Sequence, residues 1–131
     1  MTPVRGAGAS QAAPARPDRR FCRIGSFEPE LGGFLEEVTL AYETWGELDA
    51  SGTNAVLVVH ALTGDSHAAG APDARYKRGG WWDPVIGPGR LIDTERHFVV
   101  CSNVLGGCSG STGPASPDPQ TGRPYAMRFP V

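Results

Sequence analysis

The chain has 131 residues and a formal net charge of −2, with 40% apolar and 20% charged residues. That length suits one domain or part of one, and the balance excludes both a large multidomain enzyme and a disordered polyelectrolyte. Eighteen glycines and twelve prolines argue against a helical bundle.

Residues 1–20 are rich in Ala, Pro, Gly and Arg and show no period. They lack the apolar segment of a secretory signal. The expectation is a disordered tail, with an Ala- and Arg-rich transit peptide as the alternative. Arg5, Arg16, Arg19 and Arg20 all fall there, against the single acid Asp18. Beyond residue 20 the charge is therefore eight basic against thirteen acidic residues. An acidic body without a basic stripe offers no electrostatic reason to bind nucleic acid. No apolar run approaches the ~20 residues of a membrane-spanning helix.

Segment 22–28 is a weak strand candidate. Residues 34–48, FLEEVTLAYETWGEL, fit two templates. Phe34, Val38, Ala41, Tyr42, Trp45 and Leu48 make a helical stripe, while Phe34, Val38, Leu40 and Tyr42 alternate. Val, Thr, Tyr and Trp favour the strand, and Asp49–Gly52 ends it. Ala55–Val59 in NAVLVVHAL and the later HFVVC at 97–101 are short continuous apolar runs. Such runs are what parallel strands buried on both faces look like. The 34 residues from 63 to 96 are long enough for the crossover that parallel strands require. From Leu105 to Pro130 the chain reads as loop, with Asp118–Gly122 as a turn and Pro114-x-x-Pro117 as a rigid stretch rather than a polyproline ligand.

Central strands need amphipathic helices on both faces, and no convincing helix of that kind follows residue 54. The expectation is an incomplete α/β domain over 21–131, the opening part of a larger one. A small all-β domain completed by a partner is the alternative.

Several residues could carry chemistry. His60-Ala-Leu-Thr-Gly64 follows a buried strand, where open α/β sheets place their sites and unpaired N–H groups can face an anion. The plain alternative is that His60 bonds at the strand end and Gly64 makes the turn. His60, Asp65 and His67 suggest a metal site, but H-x₄-D-x-H is no tetrahedral signature and a fourth ligand is missing; a polar loop fits better. Asn103–Gly113 is dense in small residues. It is no phosphate loop, since no Lys follows its glycines. It is no nucleophile elbow, since neither Ser109 nor Ser111 has glycines two residues to each side. Cys22, Cys101 and Cys108 suit a reducing compartment, with Cys101 and Cys108 expected as buried, inert thiols. Trp81 and Trp82 are expected to fill core rather than line a channel.

The strings LAYETWGEL (40–48), NAVLVVHALTGDSHAAG (54–70) and GWWDPVIGPGRLIDTERHFVVCSNVLGGCSGSTGPASPDPQTGRPY (80–125), with FP at 129–130, closely resemble the homoserine O-acetyltransferase family of the α/β-hydrolase superfamily. The resemblance covers roughly residues 31–130 and turns 34–48 into a strand. It implies the N-terminal strands of an α/β-hydrolase sheet and a ping-pong transfer. A serine takes the acetyl group from acetyl-CoA and passes it to the hydroxyl of L-homoserine, with histidine as base and aspartate orienting it. None of the three maps onto this chain. Family triads run Ser, Asp, His in chain order, so neither His60 nor His67 qualifies.

What the resemblance does map is the oxyanion loop, where Leu62 would supply a backbone N–H. Gly106, Gly107, Gly110 and Gly113 lie in what resembles a substrate-pocket wall, with no individual catalytic role. It further implies acetyl-CoA as co-substrate with no bound cofactor or metal, a homodimer at full length, a cytoplasmic location in methionine biosynthesis, and no activity in this polypeptide alone. Within the same fold the alternatives are O-succinyl transfer and a serine acceptor. Outside it, the alternative is a truncated, non-catalytic interaction module.

Overall fold

The computed structural model describes residues 18–72 and 74–130. Of the tail expected over residues 1–20, residues 1–17 lie outside them. Arg19 and Arg20 already belong to the fold: Arg20 opens the first strand, and Arg19 reaches the Tyr76 hydroxyl.

Six strands form in the order β1 (Arg20–Phe27), β2 (Leu35–Trp45), β3 (Ala55–Val58), β4 (Ile86–Gly87), β5 (Ile92–Asp93) and β6 (Phe98–Ser102). One turn of 3-10 helix at Ala126–Arg128 is the only helical element among the described residues. The main sheet runs β1-β2-β6-β3. Its β1–β2 and β2–β6 pairs are antiparallel, whereas β3 and β6 are parallel. The two apolar runs thus pair with each other as their composition predicts, and segment 34–48 is a strand.

The pairing sets the faces. Trp45 stands opposite Val99, which stands opposite Val56. One step along, Glu43, Cys101 and Val58 form the next row. Side chains alternate along a strand, so both rows share a face. On that face Val58, Ala68, Ala69, Ile86, Val99 and Cys101 make the larger apolar core. A smaller core joins Leu35, Val38 and Tyr125, with Leu40, Leu105 and Phe129 against it. Tyr125 and Phe129 meet edge to face, which fastens the end of the long loop to β2.

The crossover from β3 to β6 supplies the cover for the larger core without a helix. Gly80 runs back along Ala68–Gly70: its N–H donates to the Gly70 carbonyl at 2.9 Å, and the Trp82 N–H donates to the Ala68 carbonyl at 2.7 Å. A Cβ on Gly80 would sit 2.3 Å from the Ala69 Cα, so only glycine permits this approach. β4 and β5 then form a separate two-stranded parallel sheet.

Two expectations need correction. β3 is covered on one face only: Val58 is buried, whereas Leu57 is 67% exposed and Val59 73%. Trp81 and Trp82 do not fill core. Both are exposed, stacked at a tilt, and the Trp81 indole N–H donates to the Asp65 carbonyl. Their backbone N–H groups are fixed on the His67 and Ala68 carbonyls, which anchors the pair against segment 65–70 while both rings stay exposed.

Candidate functional site

The loop after β3 is held from two directions. The Val104 N–H donates to His60 Nε2 at 3.2 Å, so Nε2 carries no proton. The proton therefore sits on Nδ1, which donates to the Ala61 carbonyl at 2.7 Å. That carbonyl also accepts from the Gly64 N–H at 2.8 Å. His60 is thus a neutral clamp between the turn 61–64 and the segment after β6. This is the plain alternative of the sequence reading: His60 bonds at the strand end and Gly64 makes the turn. The Leu62 side chain is almost fully exposed, and its N–H has no acceptor among the described residues.

Behind the turn lies a buried polar group that sequence reading does not assemble. Glu43 is completely buried in β2. Its carboxylate accepts from His67 Nδ1 at 2.9 Å and from Ser66 Oγ at 3.3 Å. The His67 ring stacks face to face on Tyr76 at 4.2 Å. Burial, with the Glu43 carboxylate adding to it, pushes the Tyr76 phenol above its ordinary range against the pull of Arg19. Asn103 completes the group: Oδ1 accepts from the Ser66 N–H, and Nδ2 donates to Ser66 Oγ and to the Ser109 carbonyl. Glu43 escapes notice because its residue type says surface. The available signal is its phase, since Ala41 and Trp45 place position 43 on an inward face. A buried carboxylate must find donors, and those donors come from a loop more than twenty residues later.

His60, Asp65 and His67 are given three separate tasks. His60 clamps the turn, the Asp65 carboxylate accepts from the His67 N–H at 2.9 Å, and His67 pairs with Glu43. Among the described residues no group of three or more His, Cys, Asp and Glu is placed to hold a metal.

All three cysteines are free. Cys101 is buried, and burial together with the Glu43 and Asp65 charges pushes its thiol up to about 12. It is inert, as expected. Cys108 is exposed instead of buried, because the loop bearing it turns outward beyond Gly107.

A cavity of about 750 Å³ opens beside the turn. Ala61, Thr63, Gly64, Asp65 and His67 form one side, and Arg75 to Gly79 with Trp81 form the other. Gly106, Gly107, Gly110 and Gly113 are not among these lining residues. Their loop packs against β2, where Ser111 Oγ and Thr112 Oγ1 accept the N–H groups of Ala41 and Thr39. Gly113 is buried there so tightly that a Cβ would lie 2.6 Å from the Gly107 carbonyl.

A sheet ordered β1-β2-β6-β3, with a Gly-containing turn at the end of β3 whose Leu62 amide is unpaired among the described residues, is the opening of an α/β-hydrolase fold. Comparison with known proteins gives the same class and narrows it. No family model matches. The homoserine O-acetyltransferase of Moorella thermoacetica is 61% identical over 104 residues, covering 78% of this chain and 27% of that protein. The one from Methanococcoides burtonii is 59% identical over 107 residues, or 82% of this chain and 22% of that protein. Among solved structures, an esterase superposes with a TM-score of 0.79 at 35% identity, covering 88% of this chain and 33% of its own. The homoserine O-acetyltransferase of Bacillus anthracis does so with 0.78 at 36%, covering 89% and 33%. The chain belongs to the homoserine O-acetyltransferase family. It spans between 20 and 30% of the length of the curated relatives it matches.

Proposed function

We propose that this chain supplies the oxyanion loop and part of the pocket of an enzyme that moves an acetyl group from acetyl-CoA to the hydroxyl of L-homoserine. The observation that carries the reading is the Leu62 amide, without an acceptor among the described residues, on a turn that His60 fixes at the sheet's edge. The nucleophilic serine, its histidine base and the orienting aspartate belong to the part of the protein outside these residues. In the first half-reaction the serine oxygen attacks the thioester carbonyl, the histidine takes the serine proton, and that proton leaves with the CoA sulfur. In the second, the homoserine hydroxyl attacks the acetyl-serine carbonyl and passes its proton to the same histidine, which returns it to the serine oxygen as the acetyl–serine bond breaks. Each tetrahedral intermediate carries an oxyanion, and Leu62 N–H would donate to it. The 106–113 loop is proposed as a wall of the acceptor pocket, its shape set by the close packing of Gly113 on Gly107.

The test is made in the full-length protein carrying these residues. Leu62→Ala keeps the amide and the exposed position, so turnover should stay within a few-fold of the parent. Leu62→Pro removes the donor and should lower kcat by about 10²–10³. Normal turnover in Leu62→Pro would refute the assignment. The likeness to an esterase structure at 35% identity favours one second reading, acyl transfer to water. CoA release with and without homoserine separates the two: transfer predicts homoserine-dependent release, and hydrolysis predicts release indifferent to homoserine.

A further inference from the structure

The cavity beside the turn has one feature that the oxyanion loop does not need. Its wall carries three cations in four residues, Arg75, Lys77 and Arg78, around the Tyr76 ring. Lys77 and Arg78 are exposed, and neither has an ion-pair partner among the described residues. Asp65, the one acidic residue lining the cavity among the described residues, has its carboxylate engaged by the His67 N–H. This is a local excess of positive charge on an otherwise acidic body, where charge of one sign lining a concave surface raises the local concentration of the opposite ion.

A second observation is independent of the first. His67 lines the same cavity and is 4% exposed, yet its Nε2 has no hydrogen-bond partner among the described residues. The other ring nitrogen is fixed on Glu43, so the ring cannot turn away to satisfy Nε2 elsewhere. A buried polar atom left unpaired is costly and calls for a partner. His67 Nε2 is thus the polar atom left to meet a ligand oxygen on the cavity's buried side. The volume lies within the range of small-molecule and cofactor sites, and the Trp81 indole adds an aromatic surface suited to a base or a pantetheine-like arm.

Resting on the acyl-transfer reading above, we propose that this cavity binds the phosphate-bearing half of the acyl donor. Lys77 and Arg78 engage the phosphates on its exposed side, and His67 Nε2 closes on an oxygen at its buried side. The donor's thioester end would then extend toward the Leu62 turn, since Ala61, Thr63 and Gly64 line the same cavity.

The experiment uses the full-length protein carrying these residues. A His67 variant would strip Glu43 of its partner, so the cations carry the test. The double variant Lys77→Ala/Arg78→Ala is compared with the parent by calorimetric titration with adenosine 3′,5′-bisphosphate. Loss of two charge-assisted contacts should weaken binding by about tenfold or more. In turnover assays, KM for acetyl-CoA should rise to a similar degree with kcat within about twofold, while KM for acetyl-pantetheine, which lacks the phosphates, should not change. Equal nucleotide affinity in parent and variant overturns the proposal, whatever the turnover. Displacement of the nucleotide by inorganic phosphate at comparable concentration also overturns it, since the site would then read phosphate alone. Nucleotide binding that depends on Lys77 and Arg78 in a protein that does not consume acetyl-CoA keeps the subsite and discards acetyl transfer.

Discussion

Glu43 and His67 show how much one inward-facing position can demand. Both side chains are buried, and His67 Nδ1 is hydrogen-bonded to the Glu43 carboxylate at 2.9 Å. Replacing one member leaves the other uncompensated in a low-dielectric setting. His67→Leu should therefore cost about 3–5 kcal/mol of stability, read as a lowered urea midpoint of the full-length protein. Replacing both with apolar residues of similar size should cost less than His67→Leu alone. An additive double-mutant cycle would contradict the pairing. Cys101, one step from Glu43 in the sheet, makes a chemical prediction. With its thiol pushed up to about 12, it stays protonated at ordinary pH, and thiolate is the reactive form. Iodoacetamide at pH 8 should label Cys108 and Cys22 and spare Cys101, as peptide mass spectrometry would show. The sign for stability follows from the same shift. The folded state holds the proton more tightly than an ordinary thiol, which titrates near 9.0, so stability is undiminished below pH 9 and falls as pH rises from there through about 12.

At the scale of elements, the 63–96 crossover replaces a helix with backbone packed on backbone. Gly80 is the hinge of that arrangement, because its missing Cβ is what lets the chain lie on Ala69. Gly80→Ala should shift the 79–82 segment away from Ala68–Gly70 and lose the two backbone hydrogen bonds there. A destabilisation of about 1–3 kcal/mol is expected, with faster amide exchange at Trp82 as the local readout. By contrast, Gly52 has open space around its absent side chain. The ordering of loop 105–130 comes from β2, through Ser111, Thr112 and Tyr125, and not from a secondary structure of its own. That accounts for a long stretch without helix or strand that nevertheless has a defined course.

The whole molecule has a lopsided surface. Phe21, Leu57, Val59 and Phe34 are each more than half exposed, and β3 has a free edge among the described residues. Unpaired strand edges and contiguous apolar surface are association-prone. The isolated 131-residue polypeptide should therefore bind a hydrophobic dye, associate at micromolar concentration and lack a sharp thermal transition by circular dichroism. It should also show no homoserine-dependent CoA release. A cooperative transition with little dye binding would mean that these faces are tolerated without cover. The curated relatives are three to five times longer than the matched span, so their remaining length is the proposed source of cover.

Sequence alone pointed to the two apolar strands and their parallel relation; segment 34–48 fitted two templates until the family resemblance made it a strand, and β4 and β5 were not anticipated. Runs such as Ala55–Val59 and Phe98–Cys101 carry their own pattern, because a strand buried in a parallel sheet is apolar at every position. The Gly64 turn after the first run, and the wording of residues 40–125 that marks the family, were equally legible, since both are local. Tertiary structure decided the rest. Glu43, Ser66, His67 and Asn103 lie on three separate segments, and nothing in their spacing says that they share one buried site. The exposure of Trp81, Trp82 and Cys108 likewise follows from where the loops turn. Residue type states what a side chain prefers, while the long-range pairing of β2, β3 and β6 determines which preferences can be met together.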